Sequence, residues 1–173
     1  MGLDMYLSAR KYVSGWESSY ARTEADAKAG RESVELFDSI TGAIGLERSD
    51  INAELPSLTI TIEVAYWRKA NAIHDWFVEN VQGGTDDCGK YPVDRDNLDL
   101  LVATLAHIMK AKEDGADEAT FEELLPTSAG FFFGSTEYDE YYWEYIASTH
   151  KHIKALLENP KFDGFDFEYQ SSW

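Results

Sequence analysis

The chain has 173 residues, 44% of them hydrophobic and 14% aromatic, which is enough apolar side chain to bury a core and excludes a disordered or low-complexity protein. Fifteen basic residues against 32 acidic ones give a formal charge of −17, a surface that repels nucleic acid and anionic membranes. The one cysteine, Cys88, excludes an intramolecular disulfide and fits a reducing compartment.

Leu3, Met5 and Leu7 alternate with less apolar neighbours, the period of a half-buried strand. Residues 17–33 are polar without an apolar stripe and read as a loop or a weak surface helix. Residues 34–40 begin a short helix stopped near Gly42 or Gly45. Residues 58–64, β-branched and alternating after Pro56, form the clearest strand pattern. From Tyr66 the period changes: Tyr66, Ala70, Ile73, Phe77 and Val81 predict a helix of about 15 residues closed by Gly83 and Gly84. Residues 94–113 carry a cleaner stripe (Leu98, Leu101, Val102, Leu105, Ile108, Met109), with Asp94 or Asp96 as N-cap and Gly115 beyond the end. The run 130–134 predicts a buried strand or a tight turn, and residues 136–139 match a capping box. The helix that follows buries Tyr142, Tyr145, Ile146, Thr149, Ile153 and Leu156 and stops before Pro160; residues 165–169 alternate as a final strand.

Strands at both ends and in the middle, with helices between, predict a single α+β domain over residues 1–173. It is a small antiparallel or mixed sheet with about three to four helices packed on it. The first residues lack the basic segment and apolar run of a signal peptide. No window approaches the roughly 18 apolar residues that span a bilayer. A cytoplasmic protein is expected.

Residues 66–77 are the most suggestive for chemistry, with two tryptophans and adjacent bases in a chain that has few bases. On the predicted helix Arg68, Asn71 and Asp75 share an outward stripe, with Trp67, Lys69 and His74 close by. Aromatic rings stack on planar bases, and cations near a helix N-terminus neutralise phosphate. The same pattern also fits an amphipathic helix whose tryptophans are core and whose arginine pairs with local acids. The second segment is 125–142. Glycines flank its apolar run, but Glu137, Asp139 and Glu140 in the first helical turn disfavour an anion there. Tyr138 and Tyr141 lie off the apolar stripe, where they either contact a ligand or pack locally. The candidate ligand-binding residues are therefore Trp67, Arg68, Lys69, Asn71, His74, Tyr138 and Tyr141. No catalytic residue, metal or cofactor is assigned. His74, Asp86, Asp87 and Cys88 lack the spacing of a zinc site, Cys88 follows two acids that disfavour a thiolate, and no phosphate-binding loop, dinucleotide fingerprint or nucleophile elbow occurs.

Three strings together carry a resemblance: the start Met1-Gly2-Leu3-Asp4-Met5-Tyr6-Leu7, residues 66–81 followed by Asp86-Asp87-Cys88, and residues 125–142. They resemble a family of small uncharacterised bacteriophage and prophage proteins. Some members carry a phosphoglycerate kinase label, which the length of this chain and its lack of a nucleotide-binding pattern do not support. The resemblance implies an accessory phage gene expressed in the cytoplasm of a bacterial host, where small proteins of this kind disarm defence by binding. The expected function is a non-enzymatic counter-defence binder with one of two modes. It sequesters a nucleotide immune signal in a pocket around Trp67 and Arg68, at the interface of a homo-oligomer. Or it blocks a host defence protein through an acidic face centred on the last 60 residues, which carry 13 acidic residues against three basic ones. The alternatives are a small cytoplasmic enzyme acting on a nucleotide, an acidic DNA mimic, and a phage structural or assembly factor.

Overall fold

The alternation at the start of the chain does form a strand, β1 (Asp4–Ser14), with Leu3, Met5, Leu7 and Ala9 fully buried. In the computed structural model, which describes residues 2–18 and 20–173, β1 is joined by β2 (Ser57–Arg68), β3 (Lys90–Val93) and β4 (Asp166–Ser172). The four make an antiparallel sheet in the order β2-β1-β4-β3. β3 pairs β4 in the register Lys90 to Gln170 and Val93 to Phe167, and its Pro92 is tolerated because β3 is an edge strand. Among the described residues there are five α-helices: α1 (Glu24–Ala43), α2 (Asn71–Asn80), α3 (Arg95–Glu113), α4 (Glu118–Leu124) and α5 (Glu140–Leu157). The class is α+β, as the pattern of the sequence implies, with one helix beyond the expected three to four. No helix of the described residues is long and apolar enough to cross a membrane.

The chain divides into two compact units, one formed by Met1–Ala9 with Ile62–Trp173, the other by Arg10–Thr61. The first holds the main core. The α3 stripe predicted from spacing is real: Leu98, Leu101, Leu105 and Ile108 are all at 0% exposure, and α3 packs along α5. Asp94 caps α3, Lys110 and Lys112 sit in its last turn where the helix dipole favours cations, and Gly115 beyond it adopts φ +80°. Phe77 of α2 stacks on Tyr169 of β4 with ring centroids 4.0 Å apart and planes 9° off parallel.

In the smaller unit α1 buries Phe37 and Thr41. A Cβ on Gly15 would lie 2.9 Å from the Phe37 ring, so this position accepts no side chain without displacement. Arg48 closes the same corner, donating to the Gly15 carbonyl at 2.5 Å and to Asp38 at 2.6 Å while its guanidinium lies over the Phe37 ring.

Three sequence expectations need correction, and one open alternative is decided. α1 starts at Glu24, ten residues before the expected short helix. Its first half is solvated and shows no apolar stripe; a Thr23–Asp26 capping box and the Arg31–Glu24 and Lys28–Glu32 ion pairs support it instead. The helix expected from Tyr66 starts at Asn71, because residues 66–68 complete β2 and Lys69 breaks the strand with φ +57°. Of the two readings of the run 130–134, strand or tight turn, the structure has the turn. The cap of α5 is Asp139, whose carboxylate accepts from the Tyr142 amide, and not Thr136.

Candidate functional site

β2 delivers Tyr66, Trp67 and Arg68 in succession to the turn at Lys69, and strand alternation sends them to opposite sides. Trp67 turns inward. It is 7% exposed, its indole N–H donates to the Thr149 hydroxyl at 2.7 Å, and Phe77 packs beside it. Arg68 and Lys69 remain at the surface. The Arg68 guanidinium lies 4.0 Å from the Asp4 carboxylate, which also accepts from the Tyr66 hydroxyl. Among the described residues Lys69 makes no ion pair.

α2 then opens without a side-chain cap. Its N-cap residue is Ala70 and its first turn holds no acidic residue, whereas Thr23, Asp94, Asp117 and Asp139 stand at the starts of α1, α3, α4 and α5. An uncapped start leaves backbone N–H groups directed out of the helix and a positive dipole end.

Asn71, fully buried at the first position of α2, fixes the loop of residues 126–138 against this turn. Its amide nitrogen donates to the carbonyls of Phe133 at 3.1 Å and Ser135 at 2.7 Å, and its oxygen accepts from the Ser128 amide at 3.2 Å. The backbone adds two links: Leu3 N–H to the Phe132 carbonyl, and Lys69 N–H to the Leu3 carbonyl. Gly134, at φ +93°, comes so near that an added Cβ would lie 3.1 Å from the Cβ of Lys69. The two segments singled out in the sequence, 66–77 and 125–142, are thus held together by one buried amide.

Between them lies a cleft of about 610 Å³. One wall is the end of β2 and the turn, with Tyr66, Arg68, Lys69 and Ala70; the loop contributes Gly134, Ser135 and Glu137, and α5 contributes Asp139, Tyr141, Glu144, Tyr145 and Ser148. The electrostatics are polar in the literal sense, with two cations and Ala70, the N-cap residue of α2, on one wall and three carboxylates on the others. Asp139 is occupied with capping, but the side chains of Glu137 and Glu144 have no hydrogen-bond partner among the described residues. Burial drives the phenol of Tyr145 well above its ordinary pKa, with the Ala72 amide pulling weakly the other way, and burial does the same to Tyr142. The Asp4 hydrogen bond raises Tyr66. All three phenols therefore remain protonated at neutral pH.

Of the seven candidates, Trp67, Arg68, Lys69 and Tyr141 line this cleft. The outward stripe of Arg68, Asn71 and Asp75 does not exist, since Arg68 lies in a strand and Asn71 is buried. Tyr138 is half-buried among Phe121 and Tyr142. His74, 1% exposed, belongs to a buried chain: its Nδ1 is 2.8 Å from the Tyr169 hydroxyl and its Nε2 is 3.0 Å from Asp86, whose other oxygen accepts from the Trp173 indole. Burial, reinforced by Asp86, raises the Tyr169 phenol far above its ordinary pKa, so its hydroxyl keeps its proton at neutral pH. Both ring nitrogens of His74 thus have a hydrogen-bond partner. Among the described residues no group of three or more His, Cys, Asp or Glu side chains is arranged to hold a metal ion.

No family model, curated protein or solved structure matches the chain. The chemistry of the cleft is what remains to be read. Tyr66, Ser135, Glu144, Tyr145 and Ser148 were not anticipated from the sequence. A usable signal existed on α5, where Tyr141, Glu144, Tyr145 and Ser148 recur at intervals of three and four and mark one face.

Proposed function

We propose that the chain is a binding protein that captures a small nucleotide in the cleft between the β2–α2 turn and α5. The observation that carries this reading is the uncapped N-terminus of α2 beside Arg68 and Lys69, where the other α-helices of the described residues begin on a Thr or Asp. Backbone N–H groups, a positive dipole end and two cations form a recurrent phosphate-binding combination. The ring of Tyr141, 76% exposed, and that of Tyr66, 49% exposed, offer faces on which a base stacks. The cleft volume falls within the range of roughly 300–1,000 Å³ typical of small-molecule sites. The resemblance to phage proteins supports a setting in which holding a nucleotide signal deprives a bacterial defence system of it. Under this reading the acidic remainder of the surface keeps longer polyanions away.

The double variant Arg68→Ala/Lys69→Ala tests it. Titration calorimetry against ribonucleoside monophosphates and cyclic dinucleotides should find an affinity for the wild type that falls by about tenfold or more in the variant, the loss of charge-assisted hydrogen bonds to a phosphate. Because both side chains are exposed, the thermal midpoint should stay within a few degrees. Equal affinity of the two proteins would remove phosphate from this end of the cleft.

A further inference from the structure

Resting on the nucleotide reading, we infer that the base held in this cleft is guanine. An ionised carboxylate has two oxygens and no donor, so it demands N–H groups from whatever faces it. Glu137 and Glu144 line the same cleft as Arg68 and Lys69, and both exposed side chains lack partners among the described residues. Glu144 follows Tyr141 by three residues on α5, which makes the two neighbours on one helical face. A base stacked on the Tyr141 ring brings its hydrogen-bonding edge to the next turn, where Glu144 stands, while its phosphate reaches back toward Arg68 and Lys69.

The edges of the common bases then separate. Guanine presents N1–H and the N2 amino group side by side, two parallel donors that match the two oxygens of one carboxylate. Adenine and cytosine each set an amino donor next to a bare ring nitrogen, whose lone pair faces the second oxygen. Uracil has one N–H between two carbonyls. Hypoxanthine keeps N1–H and lacks the 2-amino group. A carboxylate, which only accepts, is therefore satisfied twice by guanine, once by hypoxanthine, and meets repulsion from the others. Such bidentate pairing discriminates against a wrong base by about tenfold or more.

The test is calorimetric titration of the full chain with GMP, IMP, AMP and UMP, repeated on Glu144→Gln and Glu137→Gln, with thermal unfolding as the check on folding. The expected result is GMP tightest by about tenfold over IMP and by more over AMP and UMP. In Glu144→Gln the GMP preference should disappear and AMP should gain, because a glutamine amide matches the donor and acceptor of adenine. Loss of preference in Glu137→Gln instead would support guanine and move its reading to the loop. Comparable affinity for all four nucleotides would overturn the guanine assignment and leave the nucleotide reading standing. Binding of none of them, and of no cyclic dinucleotide, would overturn both.

Discussion

Trp67→Ala should destabilise the protein by about 3–5 kcal/mol, the usual cost of removing a large buried aromatic side chain. The ring is 7% exposed within the main core, packs beside Phe77, and satisfies the Thr149 hydroxyl on α5, itself 1% exposed. Truncation leaves a cavity and a buried hydroxyl without its partner, and the two penalties add. Trp67→Phe should cost less, since it keeps most of the apolar volume and loses mainly the hydrogen bond. Urea unfolding followed by circular dichroism measures both. A change under about 1 kcal/mol for the alanine variant would contradict the placement of this ring in the core. Trp67 is a poor probe of ligand capture for the same reason: its loss damages the fold before it reports on the cleft.

The second large effect concerns the buried chain Asp86–His74–Tyr169. His74→Ala removes the imidazole and strands the Tyr169 hydroxyl, which lies at 0% exposure. The expected cost is about 2–5 kcal/mol, cavity and unsatisfied donor together. His74→Leu should cost less, because the volume is partly refilled while the hydroxyl still lacks a partner. Combining His74→Leu with Tyr169→Phe should recover part of that loss, since the Tyr169 hydroxyl is then gone and only Asp86, which keeps the Trp173 indole, has lost a partner. Denaturant titrations of the two single variants and the double variant give the coupling directly. Strict additivity would mean that the two groups do not depend on one another, against the 2.8 Å contact between them.

Much of the fold was legible because periodicity reports burial. β1 and β4 alternate, α3 and α5 carry continuous apolar stripes, and these elements hold most of the core. What was not legible failed for local reasons. β3, with four residues, and α4, with seven, are too short to establish a period. α1 is stabilised over its first turns by caps and ion pairs rather than by burial, so its polar half resembled a loop. The break at Lys69 hid behind an accident of spacing. Tyr66, Ala70, Ile73 and Phe77 fit one helical register although the first lies in a strand, and nothing in the identity of a lysine announces a positive φ.

The cleft was legible in part for the same reason. The two contributing segments stood out by composition, yet the residues that join them did not. On a helix starting at Tyr66 Asn71 falls on the outward face; on the helix that starts at Asn71 itself it is buried and spends all its hydrogen bonds on the loop. His74 was displaced by the same error of phase. Glu144 and Tyr145 stand among the crowded aromatics at the start of α5, and only the position of the β2–α2 turn distinguishes them.

The most direct measurement is mass spectrometry of small molecules released by heat from the full chain after incubation with a lysate of defence-active bacteria, run alongside Arg68→Ala/Lys69→Ala. An intact nucleotide released near one equivalent per cleft from the wild type, and lost from the double variant, is the predicted result. Release of a hydrolysed product in its place would contradict a purely binding role, and equal release from both proteins, or from neither, would contradict capture at the α2 N-terminus.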